Sequence, residues 1–279
     1  MQPDSDKAKF IQRWCEDPGW RAFVGFISVP NLALSTLEFM KIAPEGFATA
    51  EQHTYATKNG VPTVFDYSVE GIQEAATQVE QCAMILKAIG VDLIAQSGTP
   101  FTFLREGGLE NSKRVQEKIE NSTGLPAVFM GLALPSVLNK LGHKSVAMSC
   151  TYYSEAWRQG FTRSIEESGI KVLGNENFVT LGMYPNHEAV KMQPTRRFPL
   201  SVVYRSAKTV ANQHPEADCI VIAGGGVCTM DIIEALENDL GKPVISTSAA
   251  LYYEIFQRLG VFEQIIGRGS LLASLKKFI

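Results

Sequence analysis

Short continuous apolar runs alternate along this chain with longer stretches in which apolar residues recur every three or four positions. The continuous runs are 22–29, 93–96, 145–149, 219–223 and 244–247. Each is predicted to be a strand covered on both faces, the pattern of a parallel sheet lying under helices. Between them, Ile72, Ala75, Ala76, Val79, Ala83 and Leu86 predict one long helix over 68–89. A charged helix is predicted over 109–122, ending near Gly124. Further helices are expected over 154–167, ending at Gly169, and over 229–239, ending at Gly241. Glycine just past the last periodic residue is the usual helix stop. The last stretch, 251–279, also reads as helical.

A faint echo divides the chain. Arg21-Ala-Phe-Val-Gly-Phe-Ile-Ser-Val-Pro opens the first half and His143-Lys-Ser-Val-Ala-Met-Ser-Cys-Thr-Tyr the second. Later in each half an aspartate precedes an apolar strand and a glycine turn: Asp92-Leu-Ile-Ala-Gln-Ser-Gly-Thr-Pro and Asp218-Cys-Ile-Val-Ile-Ala-Gly-Gly-Gly. Two unrelated βαβ units would give a similar echo by chance. The reading adopted is an α/β fold of two similar Rossmann-like lobes with parallel sheets and a site in the cleft between them. The first lobe is expected at 1–130, with 248–279 packing back on it, and the second at 131–247. The bend between them is placed near 124–135.

Composition narrows the function classes. A formal net charge of -3, from 26 Lys+Arg against 29 Asp+Glu and without a dense basic block, argues against a nucleic-acid partner. The polar start has no signal-peptide core, and the longest apolar stretch, 127–138, is too short for a membrane span and holds Pro135. The expected compartment is cytoplasmic, with no membrane partner; an oligomer is possible. Five cysteines without a CxxC, and four scattered histidines without HExxH, predict neither a disulfide framework nor a metal site.

The stretch from Ile220 to Gly260 carries the most chemistry. A strand runs into Gly224, Gly225 and Gly226, and Thr229 stands where a helix N-cap is expected, with Asp231 and Glu234 following. Three glycines after a strand admit a ligand close to backbone N–H groups, or simply make a tight turn. GGGVCT lacks the spacing of a dinucleotide loop. This stretch, with Ser97-Gly98-Thr99-Pro100, Phe103-Leu104-Arg105 and Ser149-Cys150-Thr151-Tyr152, resembles the aspartate/glutamate racemase superfamily, in its arylmalonate decarboxylase and maleate isomerase branch.

That resemblance implies a cofactor-free enzyme acting on a small carboxylate. A nest of amide and hydroxyl donors would hold the carboxylate while a carbanion-like centre forms beside it. Racemases of the superfamily use two cysteines, decarboxylases one as proton donor, and maleate isomerases one as nucleophile and another as acid/base. Both cysteine positions are glycine here, Gly98 and Gly224, so two-cysteine racemization is not expected. Cys228, just before Thr229, is the replacement candidate. A thiol at a helix N-terminus is acidified, but the same residue could instead pack under the loop. Cys150, at the end of a strand, is a weaker candidate. Thr99, Tyr152, Gly225 and Gly226 match donor positions, and Pro100 lies beside Thr99. Asn31 either donates to a carboxylate or closes an Asx turn. Ser97 and His187 are outside candidates. The catalytic expectation therefore falls on Cys228 and Tyr152, with protonation by Cys228 or a bound water. The other readings are a thiol-independent lyase or hydrolase of this fold, and a carboxylate-binding protein without catalysis.

Overall fold

The computed structural model describes residues 19–29, 34–58, 61–63, 68–104, 106–192 and 198–276. The first half runs β1 (Ala22–Ser28), α1 (Leu34–Ile42), β2 (Phe47–His53), a hairpin of β3 (Ala56–Lys58) and β4 (Val61–Thr63), α2 (Val69–Ala76), α3 (Val79–Ile89), β5 (Leu93–Gln96), α4 (Pro100–Phe103), α5 (Gly108–Thr123), β6 (Ala127–Phe129) and α6 (Met130–Lys140). The second half runs β7 (Ser145–Ser149), α7 (Glu155–Glu167), β8 (Lys171–Glu176), α8 (His187–Lys191), α9 (Leu200–Gln213), β9 (Cys219–Ile222), α10 (Ile233–Leu240), β10 (Val244–Ser246), α11 (Thr247–Arg258) and α12 (Ser270–Ala273). The described helices include none long and apolar enough to cross a membrane.

Two parallel four-stranded sheets result, ordered β2-β1-β5-β6 and β8-β7-β9-β10. The order is the same in both: second strand outermost, then first, third and fourth. The echo has a physical basis. Asp92 accepts the backbone N–H of Phe23 at the start of β1 (2.7 Å), and Asp218 accepts those of Lys144 and Ser145 at the start of β7 (2.8 and 2.9 Å). Each aspartate ties its sheet's third strand to its first.

A second repeat escaped the sequence reading. Glu120-Asn-Ser-Thr-Gly-Leu-Pro and Glu237-Asn-Asp-Leu-Gly-Lys-Pro end α5 and α10. In both, glycine takes the left-handed cap, and the glutamate accepts the N–H at the start of the next strand, from Ala127 or Val244, at 3.0 Å. A helix end, a turn and a strand start are thus specified by the same residues twice.

Three expectations need correction. The helix over 68–89 is two helices: the Thr77 hydroxyl donates to the Glu74 carbonyl (2.7 Å), and the Gln78 amide pairs with both backbone groups of Tyr55. Near 124–135, where the bend was placed, the chain runs through β6, the last strand of the first sheet, into α6, which holds Pro135 and leads to β7 of the second. The helix over 229–239 starts at Ile233. The stretch 251–279 is not one helix: α11 ends at Arg258, α12 covers four residues, and 277–279 lie outside the described residues. Strands β2 and β8 went unpredicted because both are sheet edges of mixed polarity, FATAEQH and KVLGNE, without an apolar run.

Helix α11 follows the last strand of the second sheet but packs against the first. Phe256 stacks on Phe39 of α1 (5.4 Å between centroids) and meets Phe47 of β2 edge-on at 5.7 Å. Tyr252 packs against Phe39 at 5.5 Å.

Candidate active site

The first loop leaves β5 at Gln96. Its Ser97 N–H donates to the Ile27 carbonyl (2.8 Å), which keeps the turn on the end of β1. Gly98 has φ +106°, a conformation that side chains disfavour. Its N–H points to the sulfur of Met130 (3.2 Å). Thr99 precedes α4, and Pro100 takes the first helical position, where a missing N–H costs nothing. The Thr99 side chain makes no cap bond; its hydroxyl is buried in a short hydrogen bond with the Tyr153 hydroxyl.

The second lobe supplies Tyr152. Thr151, two residues after the end of β7, sits in the left-handed region (φ 45°), costly for a β-branched residue. Its hydroxyl donates to the Ala223 carbonyl (2.6 Å), and its carbonyl accepts the N–H of Phe178 (2.7 Å). This clamp turns Tyr152 inward. The ring stacks flat on Phe198, 5.6 Å away, and meets Tyr153 edge-on. Its hydroxyl oxygen accepts the N–H of Gly226 at 3.1 Å. The N–H of Gly224 donates to the Thr247 hydroxyl (3.3 Å).

These loops meet at one closed cavity of about 10 Å³ lined by Val29, Ile72, Ser97, Gly98, Pro100, Phe101, Tyr152 and Gly225. That volume is room for roughly one water molecule. A bound acid must therefore part the apolar walls. Larger clefts, such as that lined by Glu155, Arg158 and Asn175, involve none of the predicted residues.

Of the predicted site residues, the fold brings Ser97, Gly98, Pro100, Tyr152 and Gly225 to this cavity, with Gly226 bonded to Tyr152. Thr99 and Gly224 stand directly beside it in sequence but turn their polar groups to Tyr153 and Thr247. Cys228 is half-buried, is not part of the lining, and precedes the first residue of α10 by five positions, so the expected helix N-terminus is not at the thiol. The Thr229 hydroxyl likewise does not cap α10; it donates to Ser246 (2.8 Å). Cys150 is fully buried away from the lining, and burial pushes its thiol far up, as for a small apolar core residue. His187 begins α8 behind the Asn186 cap and does not line the cavity. Asn31 lies outside the described residues.

Gly224 has no room for a side chain. A Cβ there would lie 2.7 Å from Tyr152 Cε1 and 2.8 Å from Thr151 Oγ1, at φ +117°. The position that the resemblance reserves for a thiol is filled from the other side by the tyrosine ring.

Two residues were missed by the sequence reading. Glu38 of α1 is buried, and its carboxylate accepts the N–H groups of Thr229 and of Met230, the latter at 2.8 Å. Burial raises its pKa above the ordinary carboxylate range, the two amide bonds opposing. One turn earlier, Ser35 is buried and its carbonyl accepts the Tyr252 hydroxyl (2.8 Å). The available signal was a glutamate three residues after a serine, on the helix face that also buries Phe39 and Ile42. Among the described residues, no group of three His, Cys, Asp or Glu converges as a metal site would require.

Two parallel sheets of identical strand order, with loops of both walling one cavity, define a two-lobed α/β protein whose site lies between its halves. The chain belongs to the arylmalonate decarboxylase family, whose model matches residues 42–272. It is 24% identical to arylmalonate decarboxylase of Bordetella bronchiseptica over 191 residues, 68% of this chain and 75% of that protein. A crystal structure of the maleate isomerase of Pseudomonas putida S16 with maleate superposes with a TM-score of 0.73 at 19% identity, covering 91% of this chain and 98% of that one. A crystal structure of arylmalonate decarboxylase gives 0.72 at 22%, covering 90% and 98%. The fold and the superfamily branch expected from the motifs are those found.

Proposed function

We propose that this chain is an enzyme of decarboxylase type that acts on a malonate-like acid and delivers a proton to the product from Tyr152. The cavity carries the reading: the Tyr152 phenol and the Gly225 amide of the second lobe meet Ser97 and Gly98 of the first around a space lined otherwise by Val29, Ile72, Pro100 and Phe101. Apolar walls suit an apolar substituent and disfavour a charged group, so a carboxylate pressed against them is driven toward neutral carbon dioxide. The bond from the α-carbon to that carboxylate breaks, and its electron pair moves into the retained carboxylate, forming an enediolate. The Gly225 N–H, which no acceptor among the described residues takes, stabilises the developing charge. The α-carbon then takes the phenolic proton of Tyr152. The Gly226 N–H, already donating to that oxygen, supports the negative charge left behind until water returns the proton.

Isomerisation through a covalent thiol adduct is the less favoured course. Position 224 cannot hold a side chain beside Tyr152, and Cys228 does not line the cavity.

Incubation with phenylmalonate in heavy water, followed by NMR, tests the reading. The expected product is phenylacetate carrying one deuterium at its α-carbon, with maleate left unchanged under the same conditions. Tyr152→Phe is expected to lower kcat by about 10²–10⁴-fold, and Cys228→Ala to leave it within a few-fold. Absence of product sinks the decarboxylase reading. Turnover lost in Cys228→Ala but kept in Tyr152→Phe assigns the proton to the thiol instead.

A further inference from the structure

Helix α1 belongs to the first lobe, yet its buried face serves the glycine loop of the second. Glu38 holds the turn at Thr229 and Met230 through their N–H groups. Tyr252 of α11 donates to the Ser35 carbonyl (2.8 Å) and lies 3.4 Å from the second Glu38 oxygen. The helix is thereby fastened to the loop at two points and to α11 at a third.

The Ser35 hydroxyl takes no part in this. It is 2% exposed and makes no hydrogen bond among the described residues. Leaving a buried hydroxyl unsatisfied is costly, and such a group calls for an explanation. It lies against Gly225: a Cβ built there would be 3.5 Å from Ser35 Oγ, with Met130 Cε on another side at 3.6 Å. Gly225 lines the cavity, with Ser35 against it and itself outside the lining, and no acceptor among the described residues takes the Gly225 N–H. Two donors, one from each lobe, thus lack an acceptor beside the wall that the glycine loop gives the cavity.

We propose that Ser35 is a substrate-binding residue whose hydroxyl, together with the Gly225 N–H, donates to an oxygen of a small carboxylate. This rests on the reading that the cavity takes such an anion. The three-point fastening sets the donor before the ligand arrives, so little ordering remains to be done on binding. It also assigns a role to the first lobe's α1 that the second glycine loop alone could not fill, because the amides on either side of Gly225, at Gly224 and Gly226, already donate to protein groups.

Calorimetric titration with phenylmalonate at pH 7, on wild type and Ser35→Ala, combined with urea denaturation of both proteins without ligand, tests the assignment. Ser35→Ala is expected to be as stable as wild type or more so, since it removes an unsatisfied hydroxyl and alanine favours a helix. It is nonetheless expected to bind phenylmalonate about tenfold or more weakly, the effect of one hydrogen bond to a charged group. Unchanged affinity beside a wild type that binds overturns the role of Ser35 and leaves the carboxylate reading standing. Weakened affinity with a matching loss of stability also overturns it, by making the residue structural. No binding by wild type overturns both.

Discussion

A single glycine separates this chain from the thiol chemistry its motifs imply. Gly224 is held at φ +117° with the Tyr152 ring 2.7 Å from where a Cβ would stand. Restoring a cysteine there is not a neutral graft. Gly224→Cys is expected to destabilise the protein by about 1–3 kcal/mol through backbone strain alone, with the ring clash added. In the double variant with Tyr152→Ala the clash is relieved and the strain stays, so urea denaturation should give a loss smaller than the sum of the two single losses. Equal additive losses would mean that ring and glycine are not in conflict. The same neighbourhood holds Thr151 at φ 45°, so strain is concentrated where the pocket wall is formed.

Elements position these residues through caps and tethers more than through their own propensity. Helix α10 is regular only from Ile233, four residues later than its apolar pattern allows; the turn before it is held by Glu38 from another lobe, which accepts the amides of Thr229 and Met230, while the Thr229 carbonyl takes the N–H groups of Ile232 and Ile233. Ser246 links two elements at once: its oxygen accepts the Ala249 N–H to cap α11 (3.0 Å) and the Thr229 hydroxyl (2.8 Å). Ser246→Ala should therefore cost about 1–3 kcal/mol, a lost cap plus a stranded buried hydroxyl, measurable by urea denaturation. A loss of a few tenths would leave only one of the bonds significant. The split of 68–89 into α2 and α3 follows the same logic. Gln78 leaves the helix pattern to satisfy Tyr55, a partner 23 residues away that periodicity does not reveal.

For the whole molecule, the two lobes are joined through buried groups as well as through rings. Helix α11 inserts Phe256 and Tyr252 beside Phe39, and Glu38 crosses from α1 to the second glycine loop. Among the described residues no cation lies within ion-pair distance of that carboxyl; it faces the Tyr252 hydroxyl and senses Asp231, while Cys228 acts on Tyr252. Its folded pKa is raised, so the folded state binds the proton more tightly than the unfolded chain does. The stability this contributes is complete below the ordinary carboxylate pKa of about 4.3 and is lost as pH rises through the folded value. Glu38→Gln keeps an acceptor without the charge. Its unfolding free energy is expected to fall less than that of wild type as pH rises above the ordinary carboxylate range. Parallel pH profiles for the two proteins would contradict the raised value.

The chain alone determined its class, because continuous apolar strands between amphipathic helices can be buried only in parallel sheets. It also marked both glycine loops and Tyr152, where a strand, a turn residue and a hydroxyl or amide lie within a few consecutive positions. Local chemistry of that kind is written in order along the sequence. Which donors converge was decided by tertiary structure. Ser35 and Glu38 sit on a short helix with no motif, and their partners at Gly225, Thr229 and Tyr252 are about 190 to 217 residues away. The same holds for Cys228. Its place beside Thr229 suggested an acidified thiol, but the regular helix begins only at Ile233, and the amides of the turn before it are taken by a carboxylate from the opposite lobe.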